Sequence, residues 1–445
     1  MPKKIAIIGG GSATFTPQLI RLFARSSVLA GSTISLMDVD AERLRVMDTL
    51  GKKLVESESG DLKIEITTNQ REALTKADFA ITAIAVGGSD AYEVDIETPA
   101  KYGIFMHVCD SVGPGGVMRA LRHIPVLVSV CKDLEQVSPK AVVINYANPL
   151  SANCLAMNRS SFVKTIGLCT CSTVPDSARA VARISGLDEE QLLVPAMAAG
   201  LNHCAGITEL HLKDGSDGLA LAKERATDPL IKWGLETYGV LPYCATHWTE
   251  FFPSLSRLKD EYQGRAQGLE MQYNMRIFDM EDPNCPGARA RGRKWATLAE
   301  DLASGNQVEG LSLQTLPTDE GVQALLIMEA LLQNRNKVHV VNVPNQGAIA
   351  NLPDDAIVEV PALVNSYGVF PVHVGSLPDS FAAFLQQHIA IQEMLAEAAL
   401  SGDRRLALHA FQQEPQVAAK LTPQEAERLF NDLMQAHARY LPLFN

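Results

Sequence analysis

The sequence predicts an α/β protein whose N-terminal part is a doubly wound parallel sheet and whose C-terminal part is an α+β lobe. Three observations predict it. Short apolar runs alternate with amphipathic helical stretches up to about residue 195, the pattern of strands joined by crossover helices. A turn made of glycines separates the first strand from the first helix. Beyond residue 195 the alternation fades and helical segments dominate, so the expected domains are 1–195 and 196–445.

The first strand, Lys4-Ile-Ala-Ile-Ile8, runs into Gly9-Gly-Gly-Ser12, and a helix follows around Pro17 to Ala30. A second apolar run ends on Met37-Asp38. The pyrophosphate of a dinucleotide needs a turn without side chains, where backbone N–H groups and the next helix N-terminus can approach it. An acidic residue at the tip of the second strand then holds the ribose hydroxyls. Gly9, Gly10, Gly11, Ser12 and Phe15 are therefore the expected phosphate turn and Asp38 the expected ribose ligand. Thr14 stands where G-x-G-x-x-G has its third glycine, and a plain tight βα turn is the alternative reading.

Further strands are expected at Ile64 to Thr67, Phe79 to Val86, Ala141 to Asn145 and Thr165 to Cys169, with a helix over Val117 to Glu135. Ligands of parallel sheets sit beyond the C-terminal strand ends. Gly87-Gly88, Asn145 to Pro149 and the chain from Cys169 onward should thus open onto one crevice, with Asn145 among the cofactor-binding residues. This part is Rossmann-like. In the second part Gly321 to Gln333, Ala382 to Leu400 and Pro423 to His437 read as helices. Arg289-Ala-Arg291-Gly-Arg293 reads as a loop offering cations to an anionic substrate or partner subunit, or as a solvated helix start.

With 445 residues, 47% of them hydrophobic, the chain can bury a large core. Its formal net charge of −12 argues against nucleic acid or an anionic membrane as partner. No apolar run approaches the roughly 20 residues that span a bilayer, and no leader precedes the first strand, so a cytoplasmic enzyme is expected. Eight cysteines in so long a chain are too sparse for a disulfide framework and read as reduced thiols.

Several of these loops resemble, in order and over nearly the whole chain, the NAD-dependent glycosidases of glycoside hydrolase family 4, whose overall fold is lactate/malate-dehydrogenase-like. The resemblance is carried by Gly9 to Ser12, Asp110-Ser-Val-Gly-Pro-Gly-Gly116 with Ala120-Leu-Arg-His-Ile-Pro125, and Asn145-Tyr-Ala-Asn-Pro149. It continues through Gly167-Leu-Cys169, Gly200-Leu-Asn-His203, Asn342-Val-Pro-Asn-Gln-Gly347, Leu352-Pro-Asp and Val358-Glu-Val-Pro361. It implies NAD and a divalent metal, typically manganese, as cofactors. The nicotinamide oxidises the sugar at C3, a base removes the acidified C2 proton, the C1 substituent is eliminated, water adds, and the hydride returns.

Carried over, the metal ligands are Cys169 and His203; inert packing and a structural histidine are their bland alternatives. A thiolate and an imidazole by themselves favour zinc or iron over manganese. Asn148, Arg122, Asn202, Thr170 and His247 are the expected substrate-binding residues, and Asp110 lines the same pocket as a catalytic group. Two departures stand out. Thr170 follows the metal cysteine, where an aspartate or histidine commonly assists the leaving group, and a threonine hydroxyl is too weak an acid for that. Ala245 precedes His247 where uronidase-like members tend to have an aspartate, which leaves Tyr243 as the expected C2 base. His107, Asp110 or His247 could then protonate the leaving group. The resemblance further implies a homodimer or homotetramer. A simple NAD-dependent dehydrogenase of a sugar or 2-hydroxy acid, and a catalytically silent sensor, are the competing readings.

Overall fold

The computed structural model describes residues 2–106, 108–256, 288–308 and 312–444, with the side chains of 245–246, 288–295 and 319 excepted. Six parallel strands form its first half: β1 (Lys4–Ile8), β2 (Ser32–Met37), β3 (Leu62–Thr67), β4 (Phe79–Thr82), β5 (Val142–Asn145) and β6 (Lys164–Gly167). Their order is β3-β2-β1-β4-β5-β6, the doubly wound order with its reversal between β1 and β4. Ile5, Ala6 and Ile7 of β1 are fully buried, because helices cover both faces of the sheet and strand and helix share one apolar interior.

The crossovers carry α1 (Thr16–Ala24), α2 (Ala41–Ser57), α3 (Gln70–Leu74), α4 (Gly88–Ala100), α5 (Gly113–Val137) and α6 (Leu150–Ser160). Asp40 starts α2 by accepting from the N–H groups of Glu42 and Arg43, which satisfies donors that have no partner within the helix. The helix expected to reach Ala30 stops at Ala24, and a 3-10 turn at Ser27–Leu29 brings the chain round to Gly31 and β2. The strand expected to reach Val86 stops at Thr82. Beyond it Val86 N donates to His123 Nε2 at 3.1 Å, and Gly87 and Gly88, both with positive φ, turn the chain into α4.

The second half is α+β, as expected, but its strands do not form a sheet of their own. β7 (Met197–Leu201), β8 (Cys204–Glu209), β9 (Leu241–Pro242), β10 (Lys337–Pro344), β11 (Ile357–Asn365) and β12 (Gly368–Pro371) continue the first one. β10 joins β6 antiparallel at Asn342 and Gly167, and β11 joins β7 at Glu359 and Gly200. Helices therefore dominate less than the fading alternation predicts. β10 and β11 are long buried runs whose apolar residues show no strict alternation.

The helices Val322–Gln333, Asp379–Ser401 and Pro423–Ala436 fall where the sequence places them. Arg289, Arg291 and Arg293 lie in the helix Ala288–Ser304, so the loop reading gives way to the helix start. Trp248, fully buried, donates from Nε1 to Ala205 O at 2.9 Å and packs on Phe252 and Phe381, which anchors the helix Ala245–Phe251 against β8. Among the described residues no helix is long and apolar enough to cross a membrane.

Candidate active site

The nucleotide end is built from the tips of β1 and β2. The N–H groups of Gly9 and Gly10 donate to Met37 O at 2.9 and 2.8 Å. Gly9 has φ +91°, and a Cβ there would lie 2.4 Å from the Ala83 carbonyl oxygen, so only glycine fits. Ser12 closes the turn: its N–H donates to Gly9 O at 3.0 Å, and its Oγ accepts from Phe15 N at 3.1 Å. Asp38 Oδ2 accepts from Gly11 N at 2.9 Å and its Oδ1 from Asp40 N at 3.1 Å, which fixes a half-buried carboxylate at the tip of β2. This cradle fits a dinucleotide, since any side chain at Gly9 or Gly11 would meet Ala83 or Asp38.

Asn145 behaves differently from expectation. It is fully buried; its Oδ1 accepts from Thr82 Oγ1 at 2.8 Å and its Nδ2 donates to Ala147 O at 3.0 Å. Its side chain braces the following turn from within instead of facing the crevice. That turn links the two ends of the site, since Tyr146 packs on Phe15, with ring centroids 5.6 Å apart, and Asn148 Nδ2 donates to Asp110 Oδ2 at 2.8 Å.

Asp110, His203 and His247 bring ligating atoms within 4.8 Å of one another. Asp110 comes from the segment before α5, His203 from the β7–β8 turn at φ +65°, and His247 from the helix anchored by Trp248. The two imidazoles stack with centroids 3.7 Å apart. Ser111 Oγ donates to Asp110 Oδ1 at 2.7 Å and lies 2.9 Å from His203 Nδ1. Burial alone would raise the Asp110 carboxyl. Positive charge on His247, His203 and Arg119, with the Ser111 hydroxyl, outweighs it and pulls the group down to about 2. Asp110 is thus an anion at neutral pH and not the proton donor that the sequence allowed.

A thiol group adjoins this cluster. Cys171, Cys244 and His247 also bring ligating atoms within 4.8 Å, with Cys244 Sγ 3.3 Å from His247 Nδ1. Hydrogen bonding with Cys169, then with Cys244, pulls the Cys171 thiol down to about 5 against its burial. The two expected ligands each have close neighbours among these groups. His203 meets Asp110 and His247, Cys169 meets Cys171 and Cys244, and His247 is common to both groups. The Asp110 carboxylate adds the hard oxygen that suits a manganese-type ion and that a cysteine and histidine pair lacks.

Sequence reasoning missed Glu359. It lies on β11 at 1% exposure and accepts from Asn342 Nδ2 at 2.9 Å, from Asn202 Nδ2 at 3.1 Å and from the Tyr243 phenol. Burial pushes its carboxyl up and the charge of Cys169 adds to that, with the three hydrogen bonds pulling partly back. Tyr243, the expected base, is buried as well, and burial followed by the Glu359 charge raises its phenol well above the usual range. In this state it holds its proton and donates it to Glu359. Asn202 is buried beside it, and its Nδ2 donates to Glu359. The only signal for Glu359 was one acid within the apolar run Val358-Glu-Val-Pro361.

Thr170 opens a 3-10 turn, and its Oγ1 donates to Glu320 Oε2 at 2.5 Å. Arg122 is not a pocket residue. It is 2% exposed, and its two terminal nitrogens bind the two oxygens of Asp95 at 2.9 and 2.7 Å, with His437 Nε2 on the same carboxylate at 2.8 Å. Arg119, one turn earlier on α5, takes the place assigned to it: it is half-buried, and its Nε donates to Asn148 O at 3.2 Å. His107 lies outside the described residues.

The chain belongs to glycoside hydrolase family 4: residues 4–183 match the model of the family 4 glycosyl hydrolases, and residues 198–417 match that of their C-terminal domain. It is accordingly a glycosidase, which decides against the simple dehydrogenase and the silent sensor. It is 31% identical to an alpha-galactosidase of Rhizobium meliloti, over 99% of this chain and 89% of that one. It is 30% identical to an alpha-galacturonidase of Lachnoclostridium phytofermentans, over 99% and 97%. Its fold matches, with TM-score 0.79 and 25% identity over 99% of both chains, a 6-phospho-alpha-glucosidase from gut microorganisms determined with NAD and glucose-6-phosphate.

Proposed function

We propose that this glycosidase cleaves small hexosides or hexuronides by transient NAD-dependent oxidation at C3, C2 deprotonation, elimination and water addition. The observation that carries the reading is the turn from Asn145 to Pro149, which touches the nucleotide cradle through Tyr146 and the Asp110, His203, His247 cluster through Asn148. Residues 1–195 are then the NAD-binding domain, and 196–445 supply substrate binding, most of the metal ligands and subunit contacts.

His203, Asp110 and His247 would hold the divalent metal, manganese on this reading, with Cys169 on the adjoining thiol side. Bound there, the ion would supply Lewis-acid polarisation of substrate oxygens, and NAD would supply the hydride-transfer chemistry. Asn148 orients Asp110 and reaches a sugar hydroxyl from the same turn, and Arg119 places positive charge beside it. Tyr243 takes the C2 proton as its own passes to Glu359. The upward push on Glu359 makes that carboxylate a competent acceptor. The homodimer or homotetramer and the cytoplasmic setting belong to the same proposal; the seven free cysteines among the described residues suit a reducing compartment.

The test is hydrolysis of a panel of aryl glycosides in D2O with NAD, manganese and reductant. Deuterium at C2 of the released sugar, without net NADH, is the expected result. Release of sugar with protium retained at C2 would refute the elimination route, and NADH formed from an intact glycoside would refute the hydride return.

A further inference from the structure

We infer that Cys171, Cys244 and His247 form a second metal site, one for a thiophilic divalent ion of the zinc class, and that an ion bound there excludes manganese from its own site. The inference goes beyond the proposed mechanism and rests on it only for the place of the manganese. Neither Cys171 nor Cys244 falls in the segments that carry the family resemblance.

Two fixed pieces of chain bring the three ligands together. Cys244 and His247 are three positions apart at the start of the helix Ala245–Phe251, which Trp248 pins to β8. Cys171 comes from the 3-10 turn Thr170–Asp176, closed by Ser172 N on Cys169 O at 3.0 Å and by Thr173 Oγ1 on Thr170 O at 2.8 Å. The two sulfurs and a ring nitrogen of His247 all lie within 4.8 Å of one another. In a tetrahedral zinc site, with bonds of about 2.3 Å to sulfur and about 2.0 Å to nitrogen, a sulfur and a nitrogen ligand stand about 3.5 Å apart. Cys244 Sγ and His247 Nδ1 are 3.3 Å apart, close to that spacing. Cys244 is buried in an apolar cluster against which Cys171 packs, which strengthens the bonds of a charged ion to sulfur. Cys171 and His247 keep the partial exposure that gives an ion access.

The two donor sets differ in kind. Two thiolates and an imidazole are what zinc-class ions select, whereas the Asp110 carboxylate gives the other group the hard oxygen that suits manganese. His247 belongs to both sets, and Cys169, assigned to the manganese, is hydrogen-bonded with Cys171 and Cys244. A zinc ion that takes His247 beside Cys169 therefore withdraws ligands from the manganese. The exchange needs no redox partner. The ion gains bonds to two sulfurs and one nitrogen, each thiol gives its proton to solvent, and no electron changes hands.

The experiment titrates the reduced, NAD-loaded protein with zinc against a chromophoric chelator, and with manganese by the electron paramagnetic resonance signal of the free ion. Wild type should bind zinc tightly, and that zinc should release bound manganese. Cys171→Ser combined with Cys244→Ser should weaken zinc at least ~100-fold and leave manganese and NAD within about threefold. Asp110→Asn should do the reverse, weakening manganese at least ~10-fold with zinc within about threefold. NAD affinity doubles as the test of folding; where the double variant fails it, Cys171→Ser alone is read by the same comparison. Zinc affinity unchanged in the cysteine variant, or lowered as much by Asp110→Asn, overturns the site. Zinc and manganese bound together to one chain overturn the exclusion. Manganese binding that ignores Asp110→Asn overturns the manganese placement beneath it and leaves the zinc site standing.

Discussion

Replacing Gly9 by alanine should damage both the fold and the nucleotide cradle, and the structure sets the size. Gly9 has φ +91°, where an L side chain costs roughly 1–2 kcal/mol. The new Cβ would lie 2.4 Å from the Ala83 carbonyl oxygen, and that atom belongs to the backbone that follows β4. Relieving such an overlap forces two strands apart, an overpacking cost of about 1–3 kcal/mol. The sum is about 2–5 kcal/mol. Gly88 is the control: it also has positive φ, at +57°, but a Cβ there meets nothing within 4 Å. Gly88→Ala should therefore cost only the backbone share, roughly 1–2 kcal/mol. Urea unfolding midpoints of the two variants give the difference, and NAD titration should show Gly9→Ala weakened at least about tenfold, since the displaced turn no longer aims its N–H groups at a phosphate. Equal midpoints and equal NAD affinity for the two variants would refute the argument that the Gly9–Ala83 approach shapes the cradle.

Three further outcomes follow from the site. Tyr243→Phe should slow C2 proton exchange at least ~100-fold while NAD affinity stays within about twofold, as measured by deuterium incorporation and fluorescence titration; unchanged exchange would remove it as the base. Arg122→Met strips a buried carboxylate of its bidentate partner and should cost about 3–5 kcal/mol in urea unfolding, with Arg122→Lys restoring little because a single ammonium cannot grip both oxygens; a loss below about 1 kcal/mol would contradict the pairing with Asp95. In the metal-free protein the Asp110 carboxyl is lowered from 3.8 to about 2, so its contribution of about 2 kcal/mol is fully present above pH 3.8 and is lost as pH falls through 2. Asp110→Asn should therefore narrow the stability gap between pH 5 and pH 2, and an unchanged gap would show that this carboxyl is not held down.

What could be read from the chain was what depends on residue identity at short range. The glycines of the cradle and Asp38 at a strand tip announce themselves, because their constraints come from neighbours or from the order of parallel strands, whereas Asp110 was legible only through the family resemblance. What could not be read was set by partners far away in sequence. Arg119 and Arg122 lie one turn apart on α5, and only Asp95 and His437, from two other elements, decide which one is buried. Glu359 meets Asn202 and Tyr243 across 157 and 116 positions, and Thr170 meets Glu320 across 150. Asn145 looked like a lining residue because it ends a strand, yet the pleat turned its amide inward.

The junction of β6 with β10 and of β7 with β11 has a chemical consequence. A reaction that parks a hydride in one half of the molecule and must restore it to the same carbon several steps later tolerates no drift between the two halves. Here the strand that ends below Cys169 is bonded directly to the strand bearing Asn342, and the strand leading to His203 to the one bearing Glu359. On the proposed mechanism, storage and proton transfer would share one hydrogen-bonded sheet, so the outward and return transfers would be surveyed from the same fixed frame.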